Sequence, residues 1–238
     1  MHKYCIGVLA VLLSLAGCGG DSADDPLAVY AAASLAEVFQ QIDPDARYSF
    51  AGSDELAMQI REGAPADAYA AASSKYPQEL YAQGVVEEPV AFATNRLVLV
   101  VPRANPAGIE SVEDLLQPGT RLVLAAEGVP VGNYARRALA ALGLSAALDS
   151  VVSNENDVKG VSGKVALGEA DAGIVYATDA VPLGDDVLVF ELPDRAQPAI
   201  EYQVAVVSGN DAGDAAQAFV DRLLSAEGRA ALERAGFG

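Results

Sequence analysis

Two serines stand where a strand-like run gives way to helical spacing. Ser34 follows Leu27–Ala33, and Ser53 follows Arg47–Ala51. A helix start offers unpaired N–H groups and a partial positive charge, and a serine there adds a hydroxyl donor. Two such starts at the C-terminal edge of one sheet can converge on a single anion. Plain N-capping would use the same residues, and Ser34 with Glu37 three positions on has the spacing of a capping box. The turn Glu127–Tyr134 is a third candidate, because Gly128 and Gly132 let backbone N–H groups face a ligand. It also reads simply as a tight strand-to-helix loop. Asn156-Asp157-Val158 opens a fourth helix, with Asn156 or Asp157 as its cap. Tyr176 ends the apolar run Gly173–Tyr176, where a tyrosine serves either packing or ligand contact.

Other chemistries lack their residues. The one histidine is His2, in the N-terminal leader, and the cysteines are Cys5 and Cys18. Past residue 18 the chain has no nucleophile–histidine arrangement, no His or Cys zinc site and no disulfide. It has no GxxxxGK[ST] loop and no GxGxxG after a strand. A carboxylate-based hydrolase needs two acids facing one cleft. The pairs Asp54-Glu55, Glu87-Glu88 and Asp185-Asp186 read instead as helix-start or loop charges.

The elements that must position these residues alternate along the chain. Strand-like runs at Leu27–Ala33, Arg47–Ala51, Asp67–Ala71, Arg96–Val101, Arg121–Ala126, Ala172–Val175, Val187–Leu192 and Glu201–Val207 are separated by helical patterns. Examples are Lys75–Gln83, Val131–Leu142 and Asp157–Leu167, and two helices, Asp211–Leu224 and Ala226–Ala235, end the chain. This rhythm predicts parallel α/β layers. The strong strands near 96–101 and 202–207 flank a self-contained block, which is the layout of two lobes joined by two crossings and closing by a hinge. A single doubly wound domain is the alternative.

The N-terminus carries its own signal. Lys3 precedes the apolar stretch Ile6–Ala16, too short for the roughly 20 residues that span a bilayer. Leu15-Ala16-Gly17-Cys18 resembles the bacterial lipoprotein cleavage box, which predicts residues 1–18 as an export signal with lipidation at Cys18. An ordinary signal with an incidental cysteine is the alternative. Residues 19–26 are small and acidic and read as a tether. No later segment is long and apolar enough to cross a membrane. The chain carries a formal charge of −18, a surface that repels nucleic acid and anionic lipid. An anion site here must hold its ligand by short-range hydrogen bonds.

Six segments, Ala31–Leu35, Phe50–Ser53, Gly63–Asp67, Asn95–Pro102, Val129–Ala135 and Gly173–Ala180, occur in this order between Leu27 and Phe237. Together they resemble the periplasmic molybdate-binding proteins. The resemblance implies an α/β periplasmic-binding-protein fold of two lobes joined by two crossing strands, with the ligand in the cleft. Residues 27–95 and 205–238 would form lobe I and residues 96–204 lobe II. Carried over position by position, it implies oxyanion contacts from the hydroxyls of Ser34, Ser53 and Tyr176 and from backbone at Val131 and Val158. It implies a non-enzymatic, monomeric receptor with no cofactor, whose ligand is molybdate or tungstate and whose partner is the permease of an ATP-driven importer. A receptor for sulfate or another tetrahedral anion is the nearest alternative. A secreted hydrolase and an adhesion or scaffold lipoprotein are more distant ones. Two departures stand out. Asp54 and Glu55 follow Ser53, where many relatives have small or hydroxyl residues, and their side chains are expected to face away from the cleft. The helix at Val158 is unusually rich in glycine.

Overall fold

A computed structural model describes residues 25–238; the leader with Cys18, and residues 19–24 of the tether, lie outside the described residues. The chain forms two five-stranded sheets with helices packed on them. The first half runs β1 (Ala28–Ala32), a 3-10 turn Ala33–Leu35 leading directly into α1 (Ala36–Ile42), β2 (Arg47–Ala51), α2 (Ser53–Arg61), β3 (Ala68–Ala71), α3 (Lys75–Ala82) and β4 (Val90–Asn95). The second half runs β5 (Leu97–Pro102), β6 (Leu122–Ala125), α4 (Pro130–Ala141), β7 (Val151–Glu155), α5 (Val158–Ala166), β8 (Ala172–Tyr176), α6 (Ala177–Ala180) and β9 (Val187–Glu191). The chain then returns to the first half through β10 (Ile200–Val206), α7 (Gly213–Leu224) and α8 (Ala226–Arg234).

The strand orders are β2-β1-β3-β10-β4 and β7-β6-β8-β5-β9. Each sheet holds three parallel strands, then one antiparallel strand, β10 in the first and β5 in the second, that pairs with both of its neighbours. One crossing between the lobes is almost direct, with Arg96 alone separating β4 from β5; the other is the segment 192–199. Because all of β10 pairs with β3 and β4, residues 200–204 belong to the first sheet rather than to lobe II as the sequence suggested. Among the described residues, no helix is long and apolar enough to cross a membrane.

The central strands are apolar on both faces because helices cover both sides of each sheet. Leu97–Val101 and Leu122–Ala125 are buried throughout. The ends of the first sheet are different in kind. Ala31-Ala32-Ala33, Ala51-Gly52 and Ala70-Ala71-Ala72 put only hydrogen or methyl groups where three strands finish. Nothing bulky stands between backbone and cleft at that edge.

Candidate functional site

Strand register sets the site. In the first sheet Ala32 pairs with Ala51 at the ends of β1 and β2. Ser34 and Ser53, each two residues beyond a paired end, therefore emerge side by side. In the second sheet Ala125 pairs with Glu155 at the ends of β6 and β7. The starts of α4 and α5 consequently face the cleft together. Gly132 makes this possible for α4: a methyl there would lie 2.4 Å from the carbonyl oxygens of both Ala125 and Ala126. Tyr176 closes β8, in register with Leu97 at the crossing.

These ends meet around one small cavity between the lobes. Ser34, Ser53, Val131, Val158 and Tyr176 all line it, together with Ala32, Ala33, Gly52, Val129 and Asp157. All five residues singled out in the sequence thus come together, although they arise from both halves of the chain. Among the described residues, no Lys or Arg lines the cavity. Asp157 is the one charged group there, and its Oδ1 accepts the Gly160 N–H at 2.9 Å, capping α5.

The three hydroxyls are held, but not as helix caps. Ser34 sits inside the 3-10 turn, and its Oγ lies 3.0 Å from the Tyr202 hydroxyl. Glu37 does not close a capping box with it; it pairs across the cleft with Lys159 at 2.8 Å. Ser53 is the first residue of α2, after Gly52 at the cap. Its Oγ accepts the Ala72 N–H at 3.1 Å, and its carbonyl accepts the Tyr69 hydroxyl at 2.6 Å. Since the Ser53 oxygen already accepts from backbone, its proton is free to point into the cavity. Tyr176 is fully buried and its hydroxyl reaches Ala72 O only at 3.5 Å, a loose contact. Burial pushes this hydroxyl well above the usual tyrosine range, so it remains a neutral donor at any physiological pH.

Asp54 does not face away as expected. Its Oδ1 is buried without a partner among the described residues. A methyl placed on Gly52 would touch both this oxygen, at 2.8 Å, and the Asn156 carbonyl of the opposite lobe, at 2.5 Å. Asp54 therefore sits in the seam between the lobes, beside the cavity but not lining it. The seam also holds a hydrogen bond from the Tyr76 hydroxyl to Gly128 O. Burial and the nearby Asp54 charge push Tyr76 up to about 12.

Residues 27–238 match the family described as bacterial extracellular solute-binding protein. A molybdate-binding protein of Mycobacterium tuberculosis is 34% identical over 97% of this chain and 96% of its own length. The chain belongs to the molybdate-binding family of bacterial extracellular solute-binding proteins. A second member, from Escherichia coli, is 33% identical over 94% of both chains. The periplasmic molybdate-binding protein of Azotobacter vinelandii superposes with a TM-score of 0.78, at 22% identity, over 89% of this chain and 98% of that one. That likeness carries the fold: two α/β lobes around a cleft.

Within this family fold, three residues escaped the sequence reading. Tyr202, Asn95 and Tyr69 hold Ser34 and Ser53 from behind. Asn95 opens one of the matched segments, but its partners are 83 and 107 residues away, and no local pattern announces such pairs.

Proposed function

We propose that this protein captures molybdate outside the cytoplasm, accepts tungstate as a near-isosteric second ligand, and delivers its ligand to the permease of an ATP-driven importer. One observation carries the reading. Helix starts from both lobes and three hydroxyls converge on a single small cavity that no Lys or Arg among the described residues lines. Molybdate near neutral pH carries no proton, so every contact it makes must be a donated hydrogen bond. Backbone N–H groups at the starts of α4 and α5 and the hydroxyls of Ser34, Ser53 and Tyr176 supply that set. Hydrogen bonds to a buried anion are about twice as strong as neutral ones, which compensates for the missing cation. The protein acts by binding and release, performs no catalysis and needs no cofactor. We further propose that it works as a monomer anchored by lipid at Cys18.

Titration calorimetry with molybdate, tungstate, sulfate and phosphate tests the reading. One-to-one binding of the first two, with little response to the others, is the expected result. A response to sulfate alone would move the protein to another anion class, and silence from all four would end the receptor reading. Ser34→Ala, Ser53→Ala and Tyr176→Phe each remove one donor from a buried charge and should cost about 1–3 kcal/mol of affinity, roughly 5- to 150-fold. Lost stability with unchanged affinity would mean that these hydroxyls only support the fold.

A further inference from the structure

We infer that Lys159 is a latch that holds the two lobes closed over the ligand, with Glu37 as its partner across the cleft and Asp179 as a competing partner within its own lobe. All three are positioning residues, since none of them lines the anion cavity, and the role given to them rests on the oxyanion reading above.

Glu37 lies on α1, three positions past Ser34, and Lys159 lies on α5, directly after Val158. The pair therefore joins the two segments whose approach forms the cavity. Lys159 Nζ donates to Glu37 Oε1 at 2.8 Å and to Oε2 at 3.0 Å. Among the described residues this is the one ion pair that links a helix of lobe I to a helix of lobe II; the others stay within a lobe or sit at the crossing. Behind Lys159 stands Asp179, on α6, whose side chain is completely buried. The ammonium is 3.1 Å from Asp179 Oδ1, yet neither carboxylate oxygen has a hydrogen-bond partner among the described residues. Lys159 is thus within ion-pair range of Asp179 while its directed hydrogen bonds go to Glu37.

One cation is shared between two carboxylates, and the lobes decide which of them it serves. When the lobes part, Glu37 leaves with α1 and is solvated, while Asp179 stays beside Lys159 in lobe II. A buried carboxylate without hydrogen bonds is costly, so the ammonium then turns onto Asp179. Closure draws it back to Glu37 and leaves Asp179 underpaired. Glu37 therefore favours the closed state through Lys159, and Asp179 opposes it. Exposure limits the size of the effect. The Glu37 side chain is 52% exposed and that of Lys159 31%, and water screens such a pair. A latch of this strength changes the release rate a few-fold, which suits a protein that must open again to hand over its ligand.

The sign of one substitution separates a latch from simple charge repulsion. Glu37→Gln removes a negative charge near a bound dianion, so electrostatics alone would tighten binding. The latch requires the reverse. Molybdate dissociation, followed by stopped-flow displacement, should speed by about two- to fivefold in Glu37→Gln. Asp179→Asn frees Lys159 for Glu37 and should slow dissociation by about twofold. In a Lys159→Met/Asp179→Asn background, which leaves no unpaired buried charge, Glu37→Gln should no longer speed dissociation. Circular dichroism checks that each variant is folded. Dissociation that is unchanged or slower in Glu37→Gln overturns the inference and leaves the oxyanion reading standing. The same holds if Glu37→Gln speeds dissociation equally without Lys159, because Glu37 would then act by another route. Faster dissociation in Asp179→Asn overturns the competition between the two carboxylates. An unsubstituted protein that binds no oxyanion overturns both the latch and the oxyanion reading.

Discussion

Asp54 and Asp179 are both taken out of water, and what compensates each differs. Asp54 has a buried Oδ1 with no partner among the described residues, and it and the Asn156 carbonyl of the opposite lobe both crowd Gly52. Two acceptors brought together without a donor oppose the approach of the lobes. Asp54→Asn should let them close more readily, and an unmet buried acceptor costs about 1–3 kcal/mol. Molybdate affinity is then expected to rise by roughly tenfold, mostly through slower dissociation in stopped-flow displacement. Weaker binding would show that the carboxylate holds the seam together. Asp179 has a completely buried side chain, and Lys159 Nζ stands 3.1 Å from its Oδ1. Burial pushes its carboxyl up to about 7, and the Lys159 charge only partly offsets that. The folded protein thus holds this proton more tightly than the unfolded chain does. The contribution to stability is full below the ordinary carboxylate value of 3.8 and is lost as pH rises toward about 7. Asp179→Asn removes that loss while Lys159 keeps Glu37 as partner. The stability of the variant relative to the parent, from urea unfolding, should therefore climb between about pH 4 and about pH 7, at most by a few kcal/mol given about 1.4 kcal/mol per unit. A flat difference would mean that Lys159 compensates the charge fully.

At the scale of elements, the close approach of the α2 start to the opposite lobe depends on Gly52. Its φ of −59° and ψ of 138° suit any residue, so the demand for glycine comes from space alone. A methyl would sit 2.5 Å from Asn156 O across the seam, and the other close atom, Asp54 Oδ1, belongs to a side chain that can move. Gly52→Ala should fold normally but hold the lobes apart. Overpacking of this kind costs about 1–3 kcal/mol, roughly 5- to 150-fold in molybdate affinity, with little change in melting temperature for the free protein. A matching loss of melting temperature would place the clash within lobe I. The elements around this glycine were legible because hydrophobic runs and small-residue ends mark them: the central strands read as continuous apolar blocks, and Ser34, Ser53, Val131, Val158 and Tyr176 all fall at strand or helix ends. What the sequence concealed was long-range or two-sided. β4 is a partly exposed edge strand whose Val90-Ala91 start faces solvent, so it lacks a buried strand's signature. Ser34 and Glu37 have the spacing of a capping box, yet tertiary partners, Tyr202 and Lys159, take both side chains. Asp54 has the right place for a helix-start acid, and only the second lobe's approach turns that place into a seam.

At the scale of the whole molecule, the site works against the charge that surrounds it. The chain carries −18 and molybdate is a dianion, so the far field opposes their encounter. The nearby positive groups do not reverse this. Lys159 is already committed to Glu37 and Asp179, and among the described residues no Lys or Arg lines the cavity. Binding is therefore favourable only at hydrogen-bond range, after the anion has crossed a repulsive approach. Salt screens that approach, because the screening length is about 10 Å at 0.1 M ionic strength. It acts far less on contacts inside a closed cavity. Raising the ionic strength from roughly 10 mM to roughly 300 mM should consequently speed association, by about two- to fivefold, and leave dissociation nearly unchanged. This is the reverse of an electrostatically steered binder, whose association slows steeply with salt. Stopped-flow association rates with molybdate, in a salt whose anion does not occupy the site, measure it directly. A rate that falls with salt would mean that the helix starts and Lys159 project a positive field beyond the cleft, and that capture begins at long range despite the acidic surface.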